Sequence, residues 1–206
     1  RCRLLRSQPT GRDPGRHRGP LRLLLSLVAR ADGPPSPVIA RFGINLTGKD
    51  GKPRPPLLHA RTDGLRRGQF RTHLKQRRCV IPAQGFYEWR EEGGKQPYYI
   101  TSDDGEAWGL AGLYDQTHDE ENDAAGSFTI ITTSANSLVA PLHERMPAIL
   151  RREDEEEWVS RDVTDPLQVE RLLQPYPEDA MRVYAVSPEV NSPRNNGPEL
   201  IEPDEG

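Results

Sequence analysis

Apolar and aromatic residues in this chain gather into short runs divided by turn chemistry, a pattern that predicts strands rather than long helices. Cys79–Pro82, Gly85–Trp89, Tyr98–Thr101, Trp108–Tyr114 and Phe128–Thr133 are rich in β-branched and aromatic side chains, and Glu92–Gly93–Gly94 and Asp103–Asp104–Gly105 interrupt them. Val38–Ile44, Pro147–Leu150 and Met181–Ser187 read as further strands, while Leu21–Val28 reads as either a short helix or a strand. Helical spacing over Leu65–Arg78 predicts a basic helix that turns Phe70 and Leu74 inward and Arg66, Arg67, Arg71, Lys75 and Arg78 mostly outward. Glu153–Val159 and Asp165–Leu173 predict two more helices, and Ser134–Val139 one or two helical turns with Ser134 as N-cap. Gly48–Pro56 and His118–Ala125 read as loops, and Glu199–Gly206 as a frayed acidic tail. The expected fold class is α+β: one β-rich domain over residues 1–206, with a few peripheral helices and no internal repeats.

Composition narrows this picture. A chain of 206 residues is long enough to bury a core, and its 20 Pro and 18 Gly fit a fold of many short elements. No stretch is long and apolar enough to span a bilayer; Leu21–Val28 is too short, carries Arg22 and is not flanked like a secretory signal. Two cysteines suggest no secreted disulfide framework, so a reducing cytoplasm is the expected location. The five histidines and two cysteines show no ligand spacing, and no metal or other cofactor is expected. Charge is the most informative bulk property. Residues 1–78 hold 19 of the 28 Lys and Arg against four acidic residues, a net of +15, while the remainder carries −18. Such a basic half suits a phosphate backbone, since neutralising phosphates releases counterions. Equally, the two halves can fold together with their charges facing each other.

Two segments carry candidate chemistry. In RRCVIPAQGFYEW, residues 77–89, Glu88 stands between Tyr87 and Trp89 in an apolar and aromatic run. A carboxylate buried there is costly unless partnered or protonated, and a raised pKa is what a general acid needs near neutral pH. Strand alternation equally makes Glu88 a solvent-facing residue on the side of Phe86. In PLHERMPAIL, residues 141–150, Pro141 and Pro147 restrict the backbone around His143 and Arg145, which share a side if the segment is extended. Imidazole shuttles protons and guanidinium takes phosphate bidentately, although a His-Glu-Arg run is also common on surface loops.

Taken in order, RRCVIPAQGFYEW, KQPYYI, AGLYD, SFTIITTSAN, HERMPAIL and VNSPRNNGPELI resemble the SRAP (SOS response-associated peptidase) family, from about Leu57 to Ile201. The resemblance implies a compact β-rich domain, a mixed barrel or sheet core with a basic cleft for single-stranded DNA. It implies DNA-damage chemistry in which an N-terminal cysteine, here Cys2, captures the ring-opened aldehyde of an abasic site as a thiazolidine. Glu88 takes the place of the family's general acid/base, and His143 that of the histidine implicated in ring opening, reversal and the peptidase step. Arg145 and Arg61 correspond to phosphate contacts. The expected partner is single-stranded DNA carrying abasic sites, met by a monomer associated with the nucleoid in a bacterium.

The match weakens over residues 1–40. Arg1-Cys2-Arg3 stands where the family has Met-Cys-Gly-Arg, so the Cys2 amine becomes free only when what precedes it is removed. His59-Ala60-Arg61 resembles Asn-Ala-Arg with histidine in the asparagine's place, which makes His59 a further catalytic candidate. Arg41-Phe42-Gly43-Ile44 resembles Arg-Trp-Gly-Leu, with Phe42 as a weaker stacking ring beside Arg41. The basic residues Arg71 and Arg77 complete the DNA-binding candidates. Cys79, which opens an apolar strand, reads as a small buried hydrophobe. Two other functions fit these residues: a non-covalent single-strand or junction binder without catalysis, and a thiol peptidase acting in trans.

Overall fold

The computed structural model describes residues 3–4, 23–30, 33–46, 50–52, 54–66, 70–90, 96–116 and 126–204, with side chains from residue 35 onward. Twelve strands and three short α-helices are seen among them: β1 (Arg3–Leu4), β2 (Leu23–Arg30), β3 (Gly33–Phe42), β4 (His59–Arg61), α1 (Phe70–Gln76), β5 (Arg78–Ala83), β6 (Gly85–Arg90), β7 (Gln96–Ser102), β8 (Trp108–Asp115), β9 (Ser127–Ser134), β10 (Arg145–Pro147), β11 (Ile149–Leu150), α2 (Glu155–Val159), α3 (Pro166–Glu170) and β12 (Met181–Ala185). The α+β, β-rich class expected from the residue pattern is what the chain adopts.

Strand β9 organises the larger sheet. It pairs with β3 on one side and β8 on the other, and the order β9-β3-β2-β5-β8 returns to β9, closing a small barrel. Closure removes the exposed edges that open sheets must otherwise protect. Alternation then gives each strand two different tasks. Cys79, Ile81, Leu110, Phe128 and Ile130 fill one cluster with Phe86 and Ile100, while Val80, Ala111, Leu113 and Ile131 face a second cluster with Leu74 and Trp158. Both faces are covered, which is why β5, β8 and β9 read as near-continuous apolar runs. The smaller sheet, in the order β1-β6-β7-β12, turns Phe86 and Ile100 to the barrel. Its other face packs Tyr87 and Tyr99 against Val186, Val190 and Leu200. Gly85 sits where the two strands crowd: a Cβ there would lie 2.4 Å from the Ile100 carbonyl oxygen and 2.5 Å from the Tyr99 ring.

Several expectations are corrected. The long basic helix shrinks to α1, and Arg78 is not on a helical surface but opens β5 with its side chain 3% exposed. Its guanidinium finds enough backbone carbonyls to replace water, so strand pairing wins over helical periodicity. Ser134 ends β9 instead of capping a helix, and Asn136 caps the turn, its Oδ1 accepting from the Val139 N–H at 3.0 Å. The acidic tail is tied down as far as Asp204. Leu200 is buried, and its carbonyl accepts from the Tyr87 hydroxyl at 3.1 Å while that of Ile201 accepts from Tyr184 at 2.9 Å. Part of the charge asymmetry is spent internally, as Arg66 forks onto Glu170 and Arg77 meets Asp115 at 2.8 Å. No helix among the described residues is long and apolar enough to cross a membrane.

Candidate functional site

The edge of β9 gathers four of the predicted residues. Strand β4 runs parallel to it, so that Ala60 lies opposite Ile131 and Arg61 opposite Thr132. Antiparallel β10 sets Arg145 opposite Ser134. Arg145 reaches across: its guanidinium donates to the Thr132 carbonyl and to Thr62 Oγ1 at 3.3 Å. Its Nε is buried and has no hydrogen-bond partner among the described residues. Burial, and then the charge of Arg61, hold the Arg145 pKa below the usual guanidinium value. Arg61 itself is exposed and forks onto Asp63 at 3.2 and 3.1 Å. The two guanidinium groups repel each other, Asp63 and Glu144 offset part of that repulsion, and an anion arriving from outside would relieve the rest.

The imidazoles lie at the same edge. His59 is half-buried, with its ring edge-on to Phe42 at 5.9 Å between centroids. Burial pushes its pKa down to about 4, with the neighbouring His143 acting in the same direction, so His59 is neutral at pH 7. A neutral imidazole offers one N–H donor and one nitrogen acceptor, the same pair that an asparagine amide offers. His143 follows the tight turn in which the Ala140 N–H donates to the Asn136 carbonyl and the His143 N–H to that of Val139. Its Nδ1 lies 3.0 Å from both the N–H and the carbonyl oxygen of Arg145, which fixes the ring and leaves Nε2 for a ligand. His143 is exposed.

Glu88 belongs to the smaller sheet and is 2% exposed, which overturns the solvent-facing alternative. Phe86 and Glu88 share a face, and Phe86 packs into the barrel cluster to which Val38 and Phe42 also belong. Strand β1 pairs Leu4 with Phe86 and Arg3 with Tyr87 along the same strand β6 that carries Glu88. Cys2 itself lies outside the described residues.

The remaining candidates are placed differently. Arg41 is 7% exposed at the end of β3, its backbone N–H donating to the Gly126 carbonyl. Phe42 stacks on Phe128 at 5.3 Å. Arg71 flanks Asp165, Pro166 and Leu167 at the start of α3, and Arg77 is held by Asp115; both belong to the α1 side of the barrel. Cys79 is fully buried, and burial pushes its thiol pKa up, which suits a packing role and not a nucleophile. Among the described residues no group of three or more His, Cys, Asp or Glu is arranged to hold a metal ion. Sequence reasoning missed Thr62 and Thr132, the partners of Arg145. Only their adjacency to HAR and to the β9 run could have flagged them.

The profile of the family described as SOS response associated peptidase (SRAP) matches residues 24–193. The abasic site processing protein YoqW of Bacillus subtilis is 43% identical over 157 residues, covering 75% of this chain and 70% of that protein. The abasic site processing protein HMCES of Gallus gallus is 35% identical over 151 residues, covering 63% of this chain and 44% of that longer protein. A crystal structure of a Bacteroides thetaiotaomicron protein superposes with a TM-score of 0.74 at 26% identity, over 89% of this chain and 82% of that one.

Proposed function

We propose that this chain, which belongs to the SOS response associated peptidase family, processes abasic sites in DNA by binding a single strand and capturing the ring-opened sugar through Cys2. The convergence of His59, Arg61, His143 and Arg145 on the β9 edge supports this reading best. Arg61 and Arg145 take the strand's phosphates, with Phe42 as a stacking ring beside them. Arg41, Arg71 and Arg77 contribute to the field that draws the strand in; Arg41 is largely buried and Arg77 shares its charge with Asp115.

The chemistry balances with no added reagent. Hydrolysis of the peptide bond before Cys2 frees its amine. The amine adds to the C1′ aldehyde of the open sugar, water leaves, and an imine forms. The thiol then adds to the imine carbon, its proton passing to nitrogen, so the whole step joins amine, thiol and aldehyde into a thiazolidine and releases one water. Glu88, shielded from solvent, carries the protons. His143 presents Nε2 to the sugar and assists ring opening, while neutral His59 orients the reacting groups as donor and acceptor.

The test is incubation with an oligonucleotide bearing one abasic site, followed by a denaturing gel. A shifted band is expected with the wild type and none with Cys2→Ala. Glu88→Gln slows its appearance by about 100-fold or more, with binding of intact single-stranded DNA retained. A band of full intensity with Cys2→Ala, or no band from protein whose first residue is Cys2, overturns the proposal.

A further inference from the structure

Beside Glu88 the small sheet carries a pair of residues that the site above does not use. Tyr98 lies directly opposite Glu88 in the β6–β7 ladder, and Arg90 follows Glu88 by two residues, so all three share one face. The Arg90 guanidinium carbon sits over the Tyr98 ring, 5.0 Å from its centroid. Arg90 is exposed and Tyr98 half-buried. Among the described residues no carboxylate pairs with Arg90, whereas Arg61, Arg66, Arg77, Arg171 and Arg182 each meet one. A guanidinium laid on an aromatic face spends its π surface there and keeps its N–H edge for bidentate contact with an oxyanion. On the other face Trp89 is fixed independently, its indole N–H donating to Asn191 Oδ1 at 2.7 Å.

The geometry points to Arg90 as a second phosphate clamp, pre-oriented by Tyr98, that holds the DNA strand on the Glu88 side. The inference rests on the proposed DNA function and adds a second anchor for the strand. With Arg61 and Arg145 at the β9 edge and Arg90 on the small sheet, the backbone is gripped on two separate elements. The sugar between them is thereby kept at the buried carboxylate.

The test uses the full chain and an undamaged single-stranded oligonucleotide, with the dissociation constant measured over a salt series. Arg90→Ala is expected to lower the slope of log affinity against log salt by about 0.7 and to weaken binding roughly 3- to 10-fold at low salt. Arg90→Lys keeps the slope but loses part of the affinity, because a point charge replaces the planar fork. Tyr98→Leu weakens binding with the slope retained. Arg145→Ala run in parallel separates the two ideas. If it lowers the slope while Arg90→Ala leaves it unchanged, the clamp is refuted and the DNA function stands. If the wild type shows no salt-dependent binding at all, the functional reading itself fails. Full affinity in Arg90→Lys refutes the bidentate, pre-oriented contact.

Discussion

Arg78 and Arg145 both turn their guanidinium groups back onto backbone carbonyls, yet the fold uses them in opposite ways. Arg78 donates to the carbonyls of Leu74, Lys75, Trp158, Ser160 and Val163, and lies over the Trp158 ring at 5.7 Å. Burial alone pulls its pKa down to about 10, so it stays charged at neutral pH inside a shell of dipoles that stands in for water. Arg145 has the Thr132 carbonyl and two threonine hydroxyls, an unpaired buried Nε, and another cation, Arg61, beside it. The first group is saturated, the second is incomplete. A saturated guanidinium ties α1, β5 and the segment after α2 together, whereas an incomplete one next to a like charge is arranged for an anion that arrives from outside.

The largest effect expected from this contrast is on stability. Arg78→Met strips five carbonyls of their donor inside the protein, at a cost of about 3 kcal/mol or more. Arg145→Met removes fewer bonds at a half-exposed place and costs about 1–2 kcal/mol, while the salt slope of DNA binding falls by about 0.7. Urea unfolding and a salt titration on each variant check both halves. Equal stability losses in the two variants, or a lower salt slope in folded Arg78→Met, breaks the distinction.

The next effect concerns the neutral imidazole at the same edge as Arg145. The folded-state pKa of His59, about 4, lies below the ordinary 6.5. Between those values the unfolded chain binds a proton that folded His59 refuses, so acid favours unfolding across that window. Above pH 6.5 both states are neutral here, and the contribution is constant. The loss from pH 6.5 to 4 amounts to about 3 kcal/mol at most, since His59 is only half-buried. His59→Asn keeps a donor and an acceptor but does not titrate, and so removes this part of the acid sensitivity. Denaturant midpoints measured across the range decide it: parallel curves for variant and wild type would mean that His59 is not the titrating group.

How much of this was legible in the residues follows from what each interaction depends on. Strands β5 to β9 are set by local runs of β-branched and aromatic side chains, and Glu88 and His143 stand inside dense motifs, so both appeared early. Arg78 did not, because its five acceptors come from Leu74–Lys75 and from Trp158–Val163, a long-range arrangement with no local pattern. The same reason hid Thr62 and Thr132 and made the tail look free, although Tyr87 and Tyr184 hold it through backbone carbonyls. Glu88 burial was undecidable from alternation alone. It depends on which face of the small sheet meets the barrel, a choice made by Phe86 and Ile100 together.

The smallest effect tests how the two kinds of site are held. Arg78 is caged by distant segments, while His143 is seated by a turn of eight residues with Asn136 at its head. Asn136 Oδ1 accepts from the Val139 N–H at 3.0 Å, and its Nδ2 donates to the Tyr176 carbonyl at 2.8 Å. Asn136→Asp preserves the acceptor for the turn and gives up the Nδ2 links to the Tyr176 carbonyl and, at 3.2 Å, to Met181 Sδ. Asn136→Ala gives up the acceptor as well, at a cost of about 1 kcal/mol. If the turn seats His143, Asn136→Ala slows adduct formation several-fold with little change in DNA affinity, and Asn136→Asp restores most of the rate. A rate that instead follows overall stability, with Asn136→Asp as slow as Asn136→Ala, would show that the tie to Tyr176 matters more than the cap. In that case the histidine, like Arg78, owes its position to long-range contacts.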